Sequence, residues 1–152
     1  MGEVELAALL CAFLAGSAEE QRHYFDVAGM KRYVRVDCET RDHVIELGLD
    51  GSASARDSLH QALFAQHLTG KKPAVILIDR DGYEGRFEFE MRHVTKAAGV
   101  LYLRCSEGAI QRWAATSGLR RGAAGADDLP GPGAVASRCD LQALRRKRDA
   151  GS

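Results

Sequence analysis

Asp37 and Glu46 stand on two stretches, 32–38 and 43–49, whose alternation reads as neighbouring β-strands. An antiparallel hairpin with a short turn can bring both carboxylates to one face. There they offer hard oxygen donors to Mg²⁺ or Mn²⁺. A divalent ion held in this way activates water against a phosphodiester. The plainer reading of the same residues is a pair of solvated strand charges balancing Arg35 and Arg41. Glu39, Asp42 and Asp50 are further acids nearby, and Glu19 or Glu20 can approach from the end of the first helix.

Other constellations carry less. Asp79-Arg80-Asp81-Gly82 follows an apolar strand and resembles the opening DxDG of haloacid-dehalogenase-type phosphatases. That fold needs further Lys and Asp motifs, and too little structured chain remains for them. A polar turn with Gly82 at positive φ is the better reading. The five histidines show no zinc spacing: His60 and His67 are seven apart, and no HExxH occurs. Cys11, Cys38, Cys105 and Cys139 form no CxxC pair, so reduced thiols are expected.

The elements that must position the acids follow from periodicity. Residues 3–18 space Val4, Leu6, Leu9, Leu10, Phe13 and Leu14 along one helical face. A strand containing Tyr24–Val27, the strand 32–38 and the strand 43–49 should form a three-stranded antiparallel meander. A helix follows over 55–69, with Leu59, Leu63, Phe64 and Leu68 on one side and Pro73 beyond its end. Residues 74–78 are continuously apolar, the pattern of a central strand covered on both faces. Residues 87–98 read as a helix exiting at Gly99 into a strand over 100–104. The alternation in Phe87-Glu88-Phe89-Glu90-Met91 keeps a strand over 86–91 as the alternative.

This order of helix, meander carrying Asp then Glu, helix and buried strand resembles the PD-(D/E)XK, or restriction-endonuclease-like, nuclease superfamily. The resemblance rests on Arg35-Val36-Asp37, Val44-Ile45-Glu46, Gln61 on the following helix, and the strand 74–78. It implies an α/β fold with a small mixed sheet and an αβββαβ core. It implies further that Asp37 and Glu46 bind Mg²⁺ or Mn²⁺, that the backbone carbonyl of Leu47 adds a ligand, and that Gln61 is a polar helix residue near the site. Two departures stand out: Val36 replaces the proline, and Gly48 replaces the lysine that meets transition-state charge. Arg35, Arg56 or Lys71 is then the candidate substitute. The resemblance therefore implies either a divergent nuclease or a non-catalytic relative that binds nucleic acid or serves as a structural module.

A length of 152 residues suits one domain, expected over 1–116. Residues 117–152, rich in Gly, Ala and Pro and ending in a basic run, are expected to be disordered. Formal net charge is zero, so no global basic field draws in nucleic acid. No stretch approaches the roughly 18 apolar residues of a membrane span. Glu3 and Glu5 flank the apolar N-terminal run where a signal peptide would be positive. The reading is a cytoplasmic protein without a membrane partner, with nucleic acid as its candidate ligand. A homodimer is compatible with it, because two strands need two sites.

Overall fold

The structure, a computed structural model, describes residues 2–14, 21–49, 51 and 54–115. The expected 117–152 tail lies outside the described residues. The chain runs α1 (Glu3–Phe13), β1 (Gln21–Val27), β2 (Met30–Val36), β3 (Cys38–Glu39), β4 (His43–Leu49), α2 (Ser54–Thr69), β5 (Lys72–Asp79), α3 (Arg86–Ala98), β6 (Leu101–Ser106) and α4 (Glu107–Ala115). Four strands make one mixed sheet in the order β3-β4-β5-β6, with β3 antiparallel to β4 and the other pairs parallel. The fold is mixed α/β, as the periodicity implies. No helix among the described residues is long and apolar enough to cross a membrane.

Burial on both faces explains the unbroken apolar run in β5. Ile76 and Ile78 face Leu6 and Leu10 of α1, Leu14 just beyond it and Ile110 of α4, together with Ile45, Leu47, Leu103 and Cys105. Val75 and Leu77 face the other way, with Ala62 of α2 and Met91 of α3. The α2 residues that press on the sheet are small: Ser58, Ala62 and Ala65 are buried. This lets the helix axis approach β4 closely.

The segment 86–98 is a helix, because the tertiary face is helical: Glu88, Met91 and Thr95 are its buried residues. A Schellman turn ends it, with Gly99 at φ 69°, the Gly99 N–H donating to Lys96 and the Val100 N–H to Thr95.

The expected three-stranded meander is broken. β1 and β2 form their own two-stranded ribbon, joined by Ala28 and Gly29, both at positive φ, as a type I′ hairpin turn requires. The break falls at Asp37. Val36 packs with Val44 and Ala65 on the α2 side, whereas Cys38 belongs to the α1 side. Residues two apart in a regular strand share a face, so the chain turns over between them.

Cys38 is bonded to Cys11 of α1, with Cα atoms 5.6 Å apart, and no described cysteine is free. The expected reduced thiols are therefore corrected for this pair. The spacing motif was silent because a helix and a strand 27 residues apart supply the two sulfurs. Closing a loop of that length should stabilise the fold by roughly 3–4 kcal/mol through the unfolded chain. Urea unfolding of Cys11→Ala/Cys38→Ala against the oxidised protein should show a loss of about 2–4 kcal/mol. An unchanged midpoint would mean that the bond does not form.

Candidate functional site

The β3–β4 hairpin is set by Thr40: its N–H donates to the His43 carbonyl at 3.0 Å, and its hydroxyl accepts from the His43 N–H at 3.1 Å. The register then pairs Glu39 with Val44 and Cys38 with Ile45. One step further, Asp37 stands opposite Glu46. There the backbone ladder gives way to a side chain: the Leu47 N–H donates to Asp37 Oδ2 at 2.9 Å. A strand residue projects its N–H and C=O to the same edge, so the Leu47 carbonyl leaves β4 toward the same side.

The two carboxyls meet. Asp37 is exposed, whereas Glu46 is 1% exposed, beneath α2. Burial, then the charge of Asp37 and a hydrogen bond to it, push the Glu46 carboxyl up to about 9. Glu46 Oε1 is buried without a hydrogen-bond partner. At neutral pH the Glu46 carboxyl thus keeps its proton, with one buried oxygen to spare.

Gly48 follows Glu46 on the same face. A Cβ there would come 3.0 Å from Leu77 Cδ2 and 3.3 Å from Ser58 Oγ. A side chain at this position would thus need Leu77 and Ser58 to give by a few tenths of an ångström. The three candidate substitute cations are placed elsewhere or engaged. Arg56 forks onto Glu90 through Nε at 2.8 Å and Nη2 at 3.0 Å. Lys71 binds the Thr40 carbonyl at 2.9 Å and lies 3.4 Å from Glu39. Arg35 is exposed on β2, cross-strand from Arg22. Gln61 is exposed on α2 and makes no hydrogen bond to Asp37 or Glu46.

Among the surrounding acids, Glu39 is bound to His23 at 2.6 Å as well as facing Lys71. Asp42 is exposed, and Glu19, Glu20 and Asp50 lie outside the described residues. Among the described residues no group of three or more His, Cys, Asp or Glu is placed to hold a metal. The protein donors that meet at Asp37 are thus two carboxyls, both hard. Such a set suits Mg²⁺ or Mn²⁺ with water completing the shell, because Mg²⁺ is commonly held by only one or two carboxylates.

Asp79-Arg80-Asp81-Gly82 is the polar turn that its composition implies. Asp79 Oδ1 accepts from the Asp81 and Gly82 N–H groups at 3.2 and 2.9 Å, with Gly82 at φ 81°. Its Oδ2 accepts from Arg104 Nη2 at 2.8 Å and Nε at 3.2 Å, a buried ion pair on β5 and β6.

A third buried acid, after Glu46 and Asp79, escaped the sequence reading. Glu88 is 1% exposed; its Oε1 accepts from the Gly51 N–H at 2.8 Å, and its Oε2 is unpartnered. The Tyr102 hydroxyl is also buried without a partner, and burial pushes it up to about 12. The only sequence signal for Glu88 is its place three residues after Gly85, in the first turn of α3.

No protein-family model matches this chain, and neither does any curated protein or solved structure. The functional reading therefore rests on the geometry of the two acids.

Proposed function

We propose that this protein is a divergent Mg²⁺- or Mn²⁺-dependent nuclease of PD-(D/E)XK type, hydrolysing phosphodiester bonds of nucleic acid at Asp37 and Glu46. The observation that carries this reading is the meeting of those carboxyls at the Leu47 edge of β4, one of them buried with a free oxygen. Two like charges held together are unfavourable in the apo state, and one proton relieves them. A divalent cation in the proton's place relieves them better and also satisfies the spare oxygen. When bound, the ion supplies water activation and charge stabilisation at phosphorus.

In this reading Asp37 and Glu46 hold the ion, the Leu47 carbonyl adds an oxygen, and Gln61 orients water or a phosphate oxygen from α2. A homodimer acting on two strands belongs to the same proposal. So does a cytoplasmic location, against which the Cys11–Cys38 bond weighs, because cytosolic thiols are normally kept reduced.

One observation favours a second reading, a nuclease-like fold retained for nucleic-acid binding or scaffolding without hydrolysis. Gly48 supplies no cation where transition-state charge would be met. Nicking of supercoiled plasmid separates the two. The nuclease reading expects nicking in Mg²⁺ or Mn²⁺, silenced by EDTA and lost in Asp37→Ala. Intact plasmid under every divalent metal would leave only the binding module.

A further inference from the structure

The outer face of the β1–β2 ribbon is a ladder of matched pairs: Arg22 opposite Arg35, Tyr24 opposite Tyr33, and Asp26 opposite Lys31. The two tyrosine rings lie 5.7 Å apart and are 52% and 45% exposed. Arg22 sits over the Tyr33 ring at 4.6 Å, and Lys31 over the Tyr24 ring at 4.8 Å. The inner face holds the ribbon to the body: Phe25 meets Phe64 of α2 edge-on at 5.0 Å, and His23 reaches Glu39. The tyrosines therefore take no part in anchoring it. β1 and β2 carry Arg22, Lys31, Arg32 and Arg35 with one acid of their own, Asp26, in a chain whose formal net charge is zero.

We propose that this face binds single-stranded nucleic acid, with bases stacked on Tyr24 and Tyr33 and phosphates held by Arg22, Lys31 and Arg35. Exposed aromatic rings bordered by cations select a ligand that is flat, apolar-faced and anionic at once. A duplex keeps its base faces buried in its own stack, so it can use only the cations. An exposed cation–π contact is weak enough for a base to take the ring while the cation turns to phosphate. The binding needs no metal and neither Asp37 nor Glu46, so it goes beyond the hydrolytic reading.

The test is fluorescence anisotropy of labelled oligothymidylate with the full chain in EDTA, at low and moderate salt. The single strand should bind more tightly than a duplex of equal length. Tyr24→Ala and Tyr33→Ala should each weaken it at least about fivefold, the lower end for loss of one base stack. Tyr33→Phe should restore binding, since the ring and not the hydroxyl carries the contact. Lys31→Gln, a surface change that spares folding, should reduce the slope of log affinity against log salt by about 0.7. Equal affinity for duplex, with no loss in either alanine variant, would overturn the proposal. Self-association in sedimentation that Tyr24→Ala abolishes would overturn it too, assigning the face to a second copy. Metal-dependent nicking that persists without tyrosine-dependent binding refutes this proposal alone, and binding without nicking refutes only hydrolysis.

Discussion

Arg104→Met should destabilise the fold by about 3–5 kcal/mol, the loss expected when one member of a buried ion pair is removed. The Asp79 carboxylate sits at the end of the central strand, and its side chain and that of Arg104 are almost fully buried. Two guanidinium N–H groups and two turn N–H groups converge on it. Methionine fills the arginine's volume but removes the guanidinium that offsets the buried charge. A drop in melting temperature of more than about 10 °C is therefore expected. Asp79→Asn added to Arg104→Met should recover at least about 1 kcal/mol, because the amide oxygen still accepts from Asp81 and Gly82 without the charge. A single-variant loss below about 1 kcal/mol would show that water screens the pair.

Glu46→Gln should do the opposite at neutral pH, raising stability by an amount on the order of 3 kcal/mol at pH 7. Burial first, and Asp37 second, hold the Glu46 carboxyl at about 9 in the folded protein, against an ordinary value of 4.5. The folded state thus keeps a proton that the unfolded chain releases. The stability this contributes is fully present below the unfolded pKa and is lost as pH climbs through the folded one. Glutamine is a neutral isostere that does not titrate, so the variant's stability should be level across the same range. Chemical denaturation at several pH values between the two pKa values reads the difference in slope. Millimolar Mg²⁺ at alkaline pH should raise the melting temperature of the native protein and leave Glu46→Gln unmoved, since only a carboxylate pair gains from the ion. A variant less stable at every pH would mean that Glu46 is ionised and paired in the native state, which removes the basis for the metal reading.

The amino-acid sequence by itself determined the elements whose pattern is local. The run Ala74–Ile78 could only be a strand covered on both sides, and the spacing of Leu59, Leu63 and Phe64 with Pro73 beyond defined α2 closely. The turn chemistry of Asp79 to Gly82 was equally readable, because an Asx acceptor and a positive-φ glycine need only their neighbours. The acids of interest, Asp37 and Glu46, could be named from type and spacing.

Tertiary structure decided whatever depends on partners distant in sequence. The alternation of Phe87-Glu88-Phe89 fits a strand, yet packing onto the sheet selects the helical face Glu88, Met91 and Thr95. The meander read from three alternating stretches breaks at Asp37, because Val36 and Cys38 satisfy opposite layers of the core. That turn-over aims Asp37 at the Leu47 N–H and brings it to Glu46. Only the fold shows that Gly48 lies under Ser58 and Leu77, that Cys11 reaches Cys38, and that Tyr24 and Tyr33 share an outer face. Periodicity reports which side a residue faces within its own element; which element covers that side is a non-local choice, made where the layers close.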